Sequence, residues 1–126
     1  LDFNPKPEII VADARSCRRT LESLGKKEVL TTVSPKGRGV QMNAGAKIAS
    51  GDVLLFLHAD TRLPENAPTC IKGVFNDETV KAGAFDLGID SEKPAYRWIE
   101  KMVYLRTRVT RIPYGDQGIF IRRRFF

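Results

Sequence analysis

The chain has 126 residues, 42% of them apolar, and its 21 Lys and Arg against 15 Asp and Glu give a net charge of +6. That length suits one domain, residues 1–126, and excludes a multidomain assembly, while the apolar share supports a packed core over a disordered chain. The longest apolar run, Val53–Leu57, falls far short of the ~18 residues a membrane span needs.

Glu8–Ala12 (EIIVA) is a short β-branched run that predicts a strand ending at Asp13. Arg15–Leu24 predicts a helix stopped by Gly25. Val29–Val33 reads as a second strand, closed by Ser34-Pro35, and Lys36-Gly37-Arg38-Gly39 as a basic glycine loop. Val40–Ala49 predicts a helix with Met42, Ala46 and Ala49 on one face. Asp52 then opens VLLFL (Val53–Leu57), whose unbroken apolarity predicts a strand covered on both faces. Alternating strands and helices imply right-handed βαβ crossovers and a three-layer α/β fold around a mostly parallel sheet.

Downstream, a helix is expected from Pro64-Glu65 to about Phe75, and a strand, antiparallel in this reading, over Ala82–Ile89. Pro94–Thr110 predicts a long amphipathic helix with Ile99, Met102, Val103 and Val109 as a core-facing stripe and arginines opposite. Pro113-Tyr114-Gly115 breaks it, and Gly118–Ile121 is the last expected strand.

The charge is concentrated. Residues 97–126 hold eight Lys and Arg against Glu100 and Asp116, so this segment carries the whole +6. An anionic partner is one reading, and a solvated, solubilising surface is the other. Cys17 and Cys70 stand far apart, no CxxC occurs, and His58 is the one histidine. A zinc site and a disulfide framework are therefore excluded, and a cytoplasmic location is expected.

Ligands of open α/β sheets bind beyond the carboxyl ends of the strands. Three such ends carry polar residues: Asp13, Lys36 to Arg38, and His58-Ala59-Asp60. Asp60 offers a hard carboxylate oxygen suited to Mg2+ or Mn2+, with His58 as a second ligand or a phosphate donor. A cap on the following helix is the competing reading for Asp60, as it is for Asp13. Lys36 and Arg38 precede a helix N-terminus, where backbone N–H groups favour an anion. The loop is neither a Walker A sequence nor a dinucleotide fingerprint, because Met42 stands where the latter needs glycine. A GxSxG elbow is absent too.

Ser34–Pro64 (SPKGRGVQMNAGAKIASGDVLLFLHADTRLP), Gly83–Asp90 (GAFDLGID) and Gly115–Arg123 (GDQGIFIRR) together resemble family 2 glycosyltransferases of the GT-A fold. The nearest branch is the small bacterial subgroup of radical-SAM/selenodomain-associated or arsenosugar-biosynthesis transferases. The resemblance covers nearly the whole chain. It implies inverting, metal-dependent sugar transfer from a nucleotide-diphosphate donor, UDP- or GDP-linked, to an unidentified acceptor. By the same resemblance Asp13 matches the aspartate that bonds the base, and His58-Ala59-Asp60 stands in place of the DXD motif with Asp60 as metal ligand. Arg38 and Asn43 match polar positions facing nucleotide or diphosphate. Gly115-Asp116-Gln117 matches the segment lining the donor-sugar and acceptor pocket.

Two departures stand out. The family's DGGS run becomes Asp13-Ala14-Arg15-Ser16, which alters the close backbone approach to the base. The family also has a strand before this stretch and a Glu-Asp pair, supplying the general base, after it. The chain is thus expected to be the middle of a catalytic domain and inactive alone. Its general base is expected beyond Phe126, with Asp116 the one candidate catalytic acid it contains. Self-association through the uncovered edge of the first strand is expected as well. The alternatives are a nucleotide-sugar-binding module without turnover, and a basic membrane-surface or nucleic-acid-binding protein acting through residues 97–126. Tyr96, Trp98 and Tyr104 beside arginines fit peripheral contact at the inner membrane face, whereas no nucleic-acid partner is expected because RNA-binding aromatic signatures are absent.

Overall fold

Residues 6–14 and 28–126 are described by a computed structural model. The helix expected over Arg15–Leu24 lies outside the described residues. The chain divides into two compact units, residues 1–54 and 55–126.

In the first unit, β1 (Ile10–Ala14) and β2 (Leu30–Ser34) pair in parallel, with Ile10 opposite Leu30 and Asp13 opposite Val33. Both strands start later than the apolar runs suggest, because the ladder opens with Leu30 N donating to Ile9 O. Helix α1 (Arg38–Ile48) packs on the pair, with Met42, Ala46 and Ala49 half-buried as expected. Gly45 brings it close: a Cβ there would lie 3.6 Å from Ile10 Cγ2 and 3.8 Å from Ala12 Cβ. Glu8 ties the far end, accepting hydrogen bonds from the N–H and hydroxyl of Ser50.

A second sheet holds β3 (Val53–Phe56), β4 (Ala82–Ala84) and β5 (Ile119–Arg122) in the order β3-β5-β4. The β4–β5 pairing is antiparallel, as expected, with Gly83 opposite Phe120. β3 departs from expectation. Leu54 is buried, but Val53 and Leu57 are exposed, and β3 stands at one end of this order. An apolar run reports a capacity for burial on both faces, and the number of neighbouring elements sets how much is used.

Helix α2 (Ala67–Phe75) starts three residues later than Pro64, which instead accepts the Ala67 N–H, and it buries Ala67 and Ile71. Phe120 is buried under Phe75 and Phe85, their ring centroids each 5.5 Å from its own. Arg122 clamps the α2–β4 connection. Its guanidinium lies over Phe75 and donates to the carbonyls of Phe75, Asp77 and Val80. In that connection the hydroxyl and N–H of Thr79 hold the Asp77 carboxyl below its ordinary pKa.

The strand expected over Ala82–Ile89 ends at Ala84. Phe85 N still donates to Gln117 O, but Ile89 N turns to the carboxylate of Glu100 on the next helix. That helix, α3, spans Pro94–Thr110 as expected, stops at Arg111 in the left-handed region and is followed by Pro113. Its stripe is a correction. Tyr96, Glu100, Val103 and Thr107 form the inward side, while Ile99, Met102 and Val109 are exposed. The polar bonds of Glu100 and Thr107 fix this rotation. Among the described residues no helix is long and apolar enough to cross a membrane.

Candidate functional site

Asp13 lies at the end of β1 with its Oδ1 accepting the N–H of Ala14 at 2.8 Å. Its Oδ2 is buried and has no hydrogen-bond partner among the described residues. A buried carboxylate oxygen without a donor is costly, and a ligand N–H is one way to satisfy it. Beside it, Gln41 Nε2 donates to Ala12 O at 3.1 Å and pins the first turn of α1 to the end of β1. The sequence reading missed Gln41. Its place one turn into a helix after a glycine loop was the available signal.

Gly37 caps α1 at φ 150°, a conformation that favours glycine, and accepts the Gln41 N–H. No acidic residue occupies the first turn, and Lys36 and Arg38 are exposed around it. An anion at this N-terminus would meet free N–H groups and two cations. Asn43 is exposed too. Two residues along a helix turn about 200°, so Asn43 points away from the face where Gln41 meets β1.

The second unit holds the other sequence-predicted residues. After β3 the chain turns sharply, with Thr61 N donating to His58 O at 3.0 Å. Asp60 is exposed at this turn, and its carboxylate has no hydrogen bond or ion pair among the described residues. The His58 ring lies against Gly115, where an added Cβ would be 3.3 Å from Nε2. The His58–Asp60 turn and the Gly115–Gln117 turn are therefore neighbours.

The Gly115–Gln117 segment is a single 3-10 turn built around Gln117, which is 2% exposed. Gln117 Oε1 accepts from Tyr114 N at 2.7 Å and from the Thr107 hydroxyl at 3.3 Å, and Nε2 donates to Phe85 O at 3.3 Å. Its amide is thus occupied by the protein, and it shapes the turn on which exposed Asp116 sits. Asp116 likewise has no partner among the described residues. Gly118 leaves the turn at φ 59°, where a Cβ would also press within 3.4 Å of Leu57 and Phe85.

Phe126 is a packing residue. Its ring centroid lies 5.2 Å from that of Phe56 on β3, a tilted aromatic contact.

Arg106 was not singled out for this site. Its guanidinium lies 3.4 Å from the centroid of the Tyr114 ring, and its buried Nε has no hydrogen-bond partner among the described residues. It braces the start of the turn by cation–π stacking.

No group of three or more His, Cys, Asp or Glu gathers as a metal site among the described residues. His58 and Asp60 alone make a donor set of one imidazole and one carboxylate. The exposed Asp60 carboxylate, without a partner among the described residues, is of the hard-oxygen type that divalent cations take.

Gly115→Ala is expected to displace the His58 ring by a few tenths of an ångström without unfolding the chain. His58 is the sole histidine, so its ring NMR signals are a direct readout. They should move in Gly115→Ala and stay fixed in Gly88→Ala, where an added Cβ meets open space. Unmoved signals in Gly115→Ala would contradict this contact.

Comparison with curated proteins and with solved structures gives no match. The family model described as Glycosyl transferase family 2 matches residues 2–123. With parallel β1 and β2 under α1, and polar residues at the strand ends, this α/β chain belongs to glycosyl transferase family 2 and has its GT-A fold.

Proposed function

We propose that this chain carries the donor site of an inverting glycosyltransferase that takes a sugar from UDP or GDP. The family match over residues 2–123 carries the donor class, a nucleotide sugar used with an acceptor. Asp13 Oδ2 and the Asp60 and Asp116 carboxylates, all without partners among the described residues, support the residue assignments.

In this reading, within the first unit, Asp13 accepts an N–H from the base and Lys36, Arg38 and the N-terminus of α1 attract the diphosphate, while Asn43, expected beside them, stands on the other side of the helix. Asp60 and His58 hold Mn2+ or Mg2+, commonly used in this family. When bound, the ion neutralises charge developing on the leaving diphosphate. Asp116 borders the sugar and acceptor side, and Gln117 fixes the turn that presents it. Inversion is one displacement: the acceptor oxygen bonds to the anomeric carbon as the bond to diphosphate breaks. The hydroxyl proton passes to a base, for which Asp116 is the candidate in this chain.

The experiment is to incubate the chain with UDP- and GDP-sugars and Mn2+ and to follow the anomeric proton by NMR. Nucleotide binding with little or no turnover is expected from the chain alone, and any sugar that is released should have inverted configuration. Retained configuration would contradict the mechanism. Binding of no nucleotide sugar would contradict the donor site, and the Asp13-Ala14-Arg15 sequence also lends itself to a module that holds a nucleotide sugar without turnover.

A further inference from the structure

Trp98, Met102, Leu105 and Val109 recur at i, i+4, i+7 and i+11 along α3, so they form one stripe on the helix surface. They are 70%, 58%, 59% and 75% exposed, respectively. Ile112 and Tyr114 continue the exposed apolar surface past the helix end. The opposite side of α3 is engaged by the unit, through Glu100 to Ile89 N and Thr107 to Gln117. A contiguous apolar surface of this kind marks an interaction site.

Charge identifies the partner. Arg97, Lys101 and Arg108 border the stripe, Arg111 follows it, and all four are exposed. The one acid of the helix, Glu100, lies on the engaged side, pairing with Arg97 at 3.0 Å. The outward surface is thus apolar along its middle and cationic at its margin. A second copy related by a two-fold axis would set cationic margin against cationic margin. An anionic bilayer complements both parts. Apolar side chains enter the acyl boundary, Trp98 and Tyr104 suit the headgroup level, and Lys and Arg stems reach up to lipid phosphates. We propose that the Trp98–Val109 face of α3 docks the protein on an anionic lipid surface.

Trp98 is the sole tryptophan, so its fluorescence reports on this face alone. The chain is mixed with vesicles of phosphatidylcholine, pure or with about one-third phosphatidylglycerol. Co-sedimentation with the anionic vesicles and a blue shift of Trp98 emission are expected, both lost toward about 0.5 M salt. Lys101→Gln, Arg108→Gln and Arg111→Gln combined should weaken partitioning about a hundredfold. Leu105→Ser with Val109→Ser should weaken it at unchanged charge. All five residues are exposed, so far-UV circular dichroism and melting should match the parent chain. An unmoved Trp98 emission, equal binding to pure phosphatidylcholine, or unaltered binding by either variant would overturn the proposal. A lipid-free dimer with Trp98 already blue-shifted would overturn it too, assigning the face to a second copy.

Discussion

Gln117→Leu is expected to destabilise the chain by about 3 kcal/mol, seen as a fall in Tm of roughly 10 °C in a thermal melt. The side chains are similar in volume, so the cost is polar. Tyr114 N–H loses its 2.7 Å acceptor, Phe85 C=O loses the Nε2 donor, and the Thr107 hydroxyl loses its contact. Each group left unpaired in a buried site costs on the order of 1 kcal/mol or more. The loss also frees the Tyr114–Gln117 turn from β4 and α3, so Gly115 should no longer hold the His58 ring in one position. The His58 NMR signals are then expected to broaden or shift together with the fall in Tm. A loss below about 1 kcal/mol would mean that the amide does not organise the turn.

Gly83→Ala is expected to cost about 2 kcal/mol through overpacking. A Cβ there would lie 2.5 Å from Phe120 Cζ and 2.7 Å from its Cε2, closer than real Cβ atoms come. The ring has little room to yield, because Phe75 and Phe85 flank it and Gly83 faces it across the β4–β5 ladder. Thermal unfolding measures the loss, and a double-mutant cycle assigns it. In a Phe120→Leu background the Gly83→Ala penalty should shrink by more than half, since the atoms in conflict are gone. Equal penalties in both backgrounds would place the strain elsewhere.

These two positions show what the sequence contains and what it withholds. Gly83 and Gln117 both sit in segments carrying the family resemblance, so their neighbourhood was legible. Their roles were not, because the Phe120 ring over Gly83 and the three partners of Gln117 are tertiary facts. Gln117 was expected among donor-binding residues, yet its amide is occupied by the protein and it contributes as the frame of the turn.

Helix α3 makes the same point at larger scale. Its limits were legible because Pro94 opens it and Pro113 follows its end. Its rotation was not. Ile99, Met102 and Val109 look like core in a hydrophobic pattern, but Glu100 and Thr107 are the residues with partners inside the unit. Two polar bonds outweighed an apolar stripe, leaving that stripe for another surface. β4 shows a local failure of the same kind. The alternation over Ala82–Ile89 favours a strand, but ladder pairing stops at Ala84, where the partner strand gives way to the Gly115–Gln117 turn.

For the candidate site, the strand-end rule singled out Asp13 and the His58–Asp60 turn from sequence alone. It could not separate polar side chains with free atoms from those already used. Asp60 and Asp116 are unpartnered among the described residues and Asp13 Oδ2 is buried without a donor there, whereas Gln117 is held by three hydrogen bonds. Burial and hydrogen-bond inventory make that distinction, and both depend on the fold.

The central claim is that Asp60 forms part of a metal-dependent nucleotide-diphosphate site. Isothermal titration of UDP and of GDP into the chain with Mn2+ tests it most directly, with Asp60→Ala and a chelated sample in parallel. One nucleotide should bind, and its affinity should fall at least tenfold, about 1.4 kcal/mol, both on chelation and in Asp60→Ala. Asp60 is exposed and without a partner among the described residues, so the melting temperature of that variant without nucleotide should match the parent. No binding of either nucleotide in the presence of metal, or equal affinity for parent and Asp60→Ala, would contradict the account.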